Sequence, residues 1–374
     1  MSSAASSPPY PSEEARAVLR LLKENGNVLI TGAPATGKTR LLQEVREGFK
    51  WTPGATYNRS ARVAIPAVPQ DVALWLPSPA RTNREVFETA FHQNTKFGEV
   101  LRAREAEVGG AGGAGTTFRV SSGILYLASE HGLLPDGAAL LIIDEINRGP
   151  AVSVFGPCLT ALEFDKRLDD DGAEVTTTAT FRLLDDNGDY IDYAFPTHLY
   201  VLAAMNQADT SIEALDVAFM RRWEPYQLRP DLKTLIDYFG LTDVTGELPD
   251  TPAAVDDVYR AAVRAWQAVN RRIRLGRGAE FEIGHGVFMR GQVGTTVDDA
   301  LEHVRTGWRR VRQHLDEVFF GSVEGLAAAL NVGSQDNPIT LGSEMFANDS
   351  VSFLDEPPTP DNPTLYKILR AVAD

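Results

Sequence analysis

Asn27-Val-Leu-Ile-Thr31 running into Gly32-Ala-Pro-Ala-Thr-Gly-Lys-Thr39 decides the fold. The first stretch reads as a buried strand and the second as a glycine-containing loop, and a helical pattern resumes over Lys38 to Lys50. Strand, loop and helix follow in the order that a phosphate-binding loop requires. The loop fits GxxxxGK[ST]. Glycine at both ends, Gly32 and Gly37, lets backbone N–H groups turn inward around phosphates, with Ala33, Pro34, Ala35 and Thr36 completing the cradle. Lys38 reaches the outer phosphates, the helix beginning there adds its positive dipole end, and Thr39 supplies a hydroxyl to Mg²⁺. A chance glycine turn is the alternative, and the flanking strand and helix count against it.

About a hundred residues downstream, Leu140-Leu-Ile-Ile-Asp-Glu145 closes the uninterrupted apolar run Ala138 to Ile143, which has the look of a central parallel strand. That strand delivers Asp144 to the Mg²⁺ shell and Glu145 to a place where it orients and polarises an attacking water. Taken alone, an apolar run and two acids also describe an ordinary strand end. Together with the loop upstream they argue for hydrolysis rather than passive nucleotide binding. Asn206, just after the buried strand Leu199 to Ala204, suits a polar sensor of the outer phosphate or the water, with Asp209 nearby. Arg221 and Arg222 end the next helix, Ile212 to Arg222, where they would present a guanidinium to a neighbouring subunit's nucleotide or simply complement the helix dipole.

Outward from these motifs, Ser12 caps a short amphipathic helix over Glu13 to Asn25, with Gly26 past its end. Residues 51–83 read as an irregular insertion with one short strand around Ala61 to Ile65. Arg84 to Phe91 reads as a strand, Gly109 to Gly115 as a surface loop, and Ser122 to His131 and Ala151 to Phe164 as helices. Phe181 to Leu184 and Tyr190 to Tyr193 flank Asn187-Gly188, a two-residue hairpin signal. Asp185-Asp-Asn-Gly-Asp189 resembles the start of a calcium loop, but its glycine falls too early and no glutamate closes it. Five strands with intervening helices predict a parallel α/β sheet domain. Beyond Pro230 the pattern turns helical, clearest over Val255 to Ile273 and Val297 to Leu330. The expected division is a leader over 1–12, a core over 13–228, a smaller α-helical lid over 229–330 and a Pro/Asn/Asp-rich tail over 331–374 that ends in a helix over Leu365 to Val372.

The chain has 374 residues, 43% of them hydrophobic, enough for one large domain and a smaller one. Its apolar runs fall short of the roughly 20 residues that span a bilayer, and its start lacks a signal-peptide pattern, so a cytoplasmic protein without membrane contact is expected. The lone Cys158 forms no internal disulfide and no Cys/His cluster has zinc spacing. A net charge of -15 and a pI near 4.9 lower the expectation of direct binding to a nucleic-acid backbone and favour protein partners.

These residues carry a family likeness. Phe91-His-Gln-Asn-Thr-Lys-Phe97, Ile143-Asp-Glu-Ile-Asn-Arg-Gly149 with Glu163-Phe-Asp-Lys-Arg167, Met205-Asn-Gln-Ala-Asp209 leading to Arg221-Arg-Trp223, and Phe281-Glu-Ile-Gly-His285, together with the phosphate loop, span from about Asn27 to about Leu330. Over that span the chain resembles the McrB-type AAA+ NTPases, motor subunits of modification-dependent restriction systems and relatives of the MoxR-type chaperones. The resemblance implies an AAA+ core and helical lid, a ring oligomer, most often a hexamer, and hydrolysis of ATP or GTP with Mg²⁺. It makes Asn206 the first sensor, Arg221 or Arg222 the trans-acting finger and Asn147 and Arg148 interface residues, and it puts His285 where related chaperones carry a sensor arginine.

Two departures stand out. McrB-type chains usually carry an N-terminal DNA-reading domain, whereas some 26 residues precede the first strand here, so sequence recognition is expected elsewhere or not at all; and Gln207 replaces a threonine common in the sensor segment. Asn206-Gln-Ala-Asp209 has the form of a guanine-reading Asn-x-x-Asp, but a sensor beside the γ-phosphate is too far from the base, so ATP and GTP both stay open. Three functions compete: a ring motor or switch that drives an McrC-like nuclease subunit in anti-phage restriction and reaches DNA through the complex, a MoxR-like chaperone that remodels a protein client, and a nucleotide-gated scaffold. No nuclease-like cluster of acids and lysine stands out, so DNA cutting belongs to a partner.

Overall fold

The computed structural model describes residues 11–50, 77, 80–108, 116–208, 215–334 and 336–374. The short strand expected near Ala61, the glycine loop 109–115, Asp209 and the start of the helix expected from Ile212 lie outside the described residues. Two compact units emerge, one holding the residues before Gly32 and Lys38–Gln227, the other Gly32–Gly37 with Leu228–Asp374.

In the first unit Ser12 caps Glu13–Asn25 (α1) by accepting from Ala15 N, and Gly26 follows the helix at φ 72° with its N–H on Leu22 O. The strand Asn27–Gly32 (β1) is buried throughout and the phosphate loop leads from it into Lys38–Lys50 (α2). Asn83–Ala90 (β2) is followed by a short turn of helix, Phe97–Val100 (α3), and by a hairpin of Arg102–Val108 (β3) and Thr116–Ser122 (β4). Ile124–Leu133 (α4) then packs beside Gly137–Asp144 (β5), which is buried up to its last residue. The helix expected over Ala151 to Phe164 is much shorter. It runs only over Ala151–Phe155 (α5) and tightens into a 3₁₀ turn at Gly156–Cys158, because Pro157 has no N–H to continue the ladder.

Phe181–Leu184 (β6) and Tyr190–Tyr193 (β7) pair antiparallel, as the hairpin reading requires, but form a small sheet of their own. The connection is longer than the expected two residues: Asp185 N donates to Asp189 O around it, and Gly188 takes φ 86°. The Asp185 carboxylate accepts from Asn187 N and Asp189 N, and these bonds hold it below the usual carboxylate range while it caps a turn. Leu199–Asn206 (β8), Val217–Met220 (α6) and Glu224–Leu228 (β9) complete the main sheet, whose order is β2-β5-β8-β1-β9. Its fifth member is therefore β9, which the apolar pattern does not announce, and not the hairpin. β5 pairs parallel with β2 and with β8, and helices accompany the five-stranded parallel sheet. Leu29, Leu141, Ile143, Val201 and Phe155 share one core.

The second unit is helical: Leu232–Phe239 (α7), Val255–Gly276 (α8), Val297–Val318 (α9), Val323–Ala329 (α10) and Asn362–Ala373 (α11). Residues 331–374, expected as a tail, hold the hairpin Thr340–Phe346 (β10) and Asp349–Asp355 (β11), and α11 places Leu365, Ile368 and Leu369 in the same core as Trp266 and Trp308. No described helix is long and apolar enough to cross a membrane.

Among the described residues the most buried charged side chain is Arg167, 2% exposed. It donates to Asn27 Oδ1 at 2.6 Å, to Leu162 O at 3.0 Å and to Leu199 O, tying the starts of β1 and β8 together. Burial pushes its guanidinium down to about 10, still protonated at neutral pH. Cys158 is equally inert: its thiol donates to Phe155 O and burial pushes it up to about 12. Arg167→Ala removes a buried charged donor from the Leu199 carbonyl, the Asn27 amide oxygen and the Leu162 carbonyl, which keeps Asn27 Nδ2 at 2.8 Å, so urea denaturation should show a loss of about 3 kcal/mol. A variant within 0.5 kcal/mol of wild type, about the scatter of surface substitutions, would remove the anchoring role.

Candidate functional site at the carboxyl edge of the sheet

The sheet brings its polar residues to one edge. β2 and β5 pair up to Ala90↔Asp144, and β5 and β8 up to Ile143↔Ala203, so Asp144 lies level with Ala204 and Asn206 stands two residues further along the neighbouring strand. At about 3.3 Å per residue, that is roughly 7 Å beyond. β1, on the far side of β8, ends at Gly32. Asn147 Nδ2 donates to Asn206 O at 3.0 Å, stitching the turn after β5 to the end of β8. On the other flank Phe91 N donates to Asp144 O at 3.1 Å, and His92, Asn94 and Thr95 close a tight turn through His92 N to Thr95 Oγ1 and Asn94 N to His92 Nδ1.

The phosphate loop has a defined conformation. Gly37 takes φ 93°, which its missing side chain permits, whereas Ala35 takes φ 62° despite having one. A non-glycine residue held there costs about 1–3 kcal/mol and persists only where its surroundings over-determine it. Thr36 Oγ1 donates to Ala33 O at 2.8 Å across the loop, and the Pro34 and Ala35 carbonyls accept from Gly284 N and Gly286 N, both at 2.9 Å. Lys38 and Thr39 open α2, with Thr39 exposed.

Glu145 is the second strained residue, at φ 51° and ψ 44°. Its Oε2 pairs with Arg148 Nε at 2.9 Å, and its own N–H donates to Asp144 Oδ1 at 2.9 Å. Asp144 Oδ2 makes no hydrogen bond among the described residues, and with the Thr39 hydroxyl it offers hard oxygen donors. Mg²⁺ takes one or two protein oxygens, with the rest of its octahedron from water and phosphate, so this donor set fits that ion. Among the described residues no larger group of His, Cys, Asp and Glu competes for it. The Asn206 side-chain amide makes no hydrogen bond within the described residues, and Gln207 Oε1 is buried without a partner.

The structure separates the two arginines that sequence leaves equivalent. Phe219 and Trp223 pack on Phe155 with ring centroids 5.8 and 6.4 Å away, and Asp216 caps α6 by accepting from Phe219 N. This packing turns Arg222 inward. Its side chain is 7% exposed, its Nε lies 2.9 Å from Glu163 Oε1, and it donates to Ala218 O. Arg221 is exposed, with no ion pair among the described residues, and borders an open cleft of about 470 Å³ beside Glu163 and Trp223. His285 lies in the helical unit with its Nδ1 accepting from Asp231 N at 3.1 Å.

The glycine pair at 284 and 286, whose N–H groups donate to the loop, is a feature of the site that sequence reasoning missed. In Phe281-Glu-Ile-Gly-His285 the histidine is the conspicuous residue, and the signal lies in the glycines on either side of it.

Residues 74–223 match the family model of the AAA domain, dynein-related subfamily, a match that begins after the phosphate loop. The chain is 26% identical over 294 residues to the McrB subunit of the type IV methyl-directed restriction enzyme EcoKMcrB of Escherichia coli K12, covering 77% of this chain and 53% of that protein. It is also 36% identical over 85 residues to the type II restriction enzyme BsuMI component YdiS of Bacillus subtilis 168, covering 22% of this chain and 25% of that protein. The chain thus spans about half the length of the first relative and a quarter of the second. Among solved structures, C. elegans PCH-2 aligns at 14% identity over 81% of this chain and 71% of its own, with a TM-score of 0.31 that supports no argument.

Arg222→Ala should lower stability by about 1 kcal/mol or more by leaving Glu163 unpaired, while Arg221→Ala should stay within about 0.5 kcal/mol of wild type. Urea midpoints compared at equal slopes check this, and the reverse order would reassign which arginine is free.

Proposed function

We propose, from the premise that an AAA+ protein with McrB-like sequence hydrolyses a nucleoside triphosphate, that this chain binds ATP or GTP at the carboxyl edge of its sheet and turns it over as a ring oligomer that drives a nuclease partner in DNA restriction. The observation that carries the reading is the gathering of Asp144, Glu145 and Asn206 on strand ends next to the strand that opens the phosphate loop. Both curated relatives are components of restriction enzymes, which favours this reading over a MoxR-like chaperone.

The chemistry divides among the residues. The loop from Gly32 to Gly37 presents backbone N–H groups to the phosphates, and Lys38 neutralises the outer ones. Thr39 and Asp144 would hold Mg²⁺, which supplies charge neutralisation on the phosphate oxygens. Glu145 accepts from the attacking water and aims it, which requires release from Arg148. Asn206, whose side-chain amide makes no hydrogen bond among the described residues, fixes the water or the outer phosphate. Arg221, with no ion pair among the described residues, reaches a neighbour's nucleotide and stabilises the charge that builds up on the leaving phosphate. A trans arginine implies a head-to-tail contact between copies, which closes into a ring, a hexamer by family likeness.

Lys38→Ala should abolish nucleotide binding, whereas Glu145→Gln should bind normally and lose about 10²-fold or more in turnover, because one residue holds phosphate and the other acts on water. Titration with a fluorescent nucleotide alongside single-turnover hydrolysis separates the two. Equal loss of binding in both variants would make Glu145 a structural residue.

Mixing Arg221→Ala chains with Lys38→Ala chains should restore hydrolysis through mixed interfaces that pair an intact arginine with an intact loop. The same mixture made with Arg222→Ala in place of Arg221→Ala should show no such complementation. The partner reading has its own readout. The chain with the nuclease-bearing product of a neighbouring gene should turn over nucleotide faster than alone and bind duplex DNA, while the chain alone at 0.15 M salt should bind it weakly. Sequence-selective affinity of the lone chain on the order of the 10 nM typical of specific binders would overturn it.

A further inference from the structure

The helical unit contains a segment, residues 283–287, whose two glycines face the main chain of the phosphate loop. Ile283 is pinned to α8 on three bonds: Trp266 Nε1 and Asn270 Nδ2 donate to its carbonyl at 2.8 and 2.9 Å, and its N–H donates to Asn270 Oδ1 at 2.7 Å. Two residues on, His285 Nδ1 accepts from Asp231 N, and Arg310 Nη1 donates to Val287 O at 3.0 Å. The segment is thus braced by α8, by the cap of α7 and by α9. Between these braces, Gly284 N and Gly286 N donate outward to the carbonyls of Pro34 and Ala35.

Gly284 has φ -64° and ψ 155°, a conformation open to any residue, so backbone freedom does not explain it. Space does. A Cβ at 284 would lie 2.1 Å from Ala35 C, 2.2 Å from Ala35 O and 2.3 Å from Thr36 N, all main-chain atoms of the loop that no side-chain rotation relieves. A Cβ at 286 would meet Ala35 O at 2.8 Å. The two glycines let one backbone lie directly on another.

We propose that Gly284 and Gly286 are positioning residues for the nucleotide, acting through the phosphate loop; the inference rests on reading Gly32 to Thr39 as that loop. A trans peptide is planar, and its C=O and N–H point opposite ways. Drawing the Pro34 carbonyl onto Gly284 therefore aims Ala35 N–H away from the segment, and drawing the Ala35 carbonyl onto Gly286 does the same for Thr36 N–H. A flip of either peptide would turn a carbonyl oxygen toward the phosphates, where it repels them. The strained φ of Ala35 is what the pair of bonds maintains, and in return the loop keeps its donors facing a polyphosphate before one arrives.

The full-length wild type, Gly284→Ala, Gly286→Ala and the control Gly276→Ala are titrated with fluorescent ATP and GTP analogues in Mg²⁺, and each is melted without nucleotide. The control position has only ordinary contact with Phe319, at 3.5 Å. Gly284→Ala is expected to weaken binding by about tenfold or more and Gly286→Ala by a smaller factor, each lost bond counting for up to about tenfold, with the nucleotide-free melting midpoints of Gly286→Ala and the control close to wild type. If Gly284→Ala fails to melt cooperatively, Gly286→Ala decides. Wild-type affinity in both glycine variants overturns this inference alone, as does a Gly286→Ala chain that loses binding only in step with its nucleotide-free stability. A wild type that binds neither nucleotide overturns the phosphate-loop reading as well.

Discussion

Parallel pairing is the constraint on which the candidate site depends. An antiparallel neighbour would send its polar end to the opposite edge, whereas β5, parallel to β2 on one side and β8 on the other, ends where they end. Burial on both faces enforces this. β1 and β5 are apolar nearly throughout, so chemistry is confined to the point where each strand leaves the core, and polar residues appear at Asp144 and Asn206. Arg167 holds the opposite end, tying Asn27 to Leu199, so the register of β1 against β8 is set away from the site that uses it.

Strain collects at the same edge. Among the described non-glycine residues at positive φ, Ala35 and Glu145 lie in the two motifs proposed to handle phosphate and water. Both are held by local bonds: Ala35 by the N–H groups of Gly284 and Gly286, Glu145 by the Arg148 ion pair and by Arg148 N donating to Glu145 O at 2.8 Å. At about 1–3 kcal/mol each, such conformations relax unless something opposes the change. The two cases differ in consequence. The loop's bonds run between backbones and keep its donors aimed, whereas Glu145 is tied by a half-exposed side chain that competes with water for the carboxylate. Under the proposed function, the first arrangement would prepare binding and the second would have to open for turnover.

What was legible in sequence follows from burial. β1, β5 and β8 announce themselves because strands covered on both faces must be apolar, and the motifs at their ends follow from that reading. β9, Glu224-Pro-Tyr-Gln-Leu228, does not, because an edge strand alternates exposed and half-buried residues and accommodates Pro225. β3 and β4 are hidden for a related reason: Arg102-Ala-Arg-Glu-Ala-Glu-Val108 forms a hairpin outside the main sheet with no apolar stripe to betray it. Ala151 to Phe164 reads as one helix by spacing, and Gly156-Pro157 overrides the period. The residues after Asn331 look like a tail by composition, yet α11 carries a full apolar face, and only the tertiary core shows what that face covers. The glycines at 284 and 286 are illegible for a stronger reason: their role lies in a contact some 250 residues away in sequence, and nothing local marks them.

The two arginines at the end of α6 show where residue type stops being informative. Arg221 and Arg222 are chemically identical and adjacent, so any argument from charge, planarity or dipole applies to both. Packing breaks the tie. With Phe219 and Trp223 committed to Phe155, the helix can turn only one of the two guanidiniums toward Glu163, and that one is Arg222. A residue that serves a neighbouring copy has to be available before the neighbour arrives. An arginine already paired and largely buried would first have to give up its carboxylate and leave Glu163 without a partner, a cost that subtracts directly from whatever it contributes next door. Arg221 carries no such debt: it is exposed and has no ion pair among the described residues, so its full charge is on offer to a phosphate. If Arg221 serves a neighbour as proposed, the division of labour is built into the fold of a single chain, with Arg222 securing the helix that carries Arg221 outward.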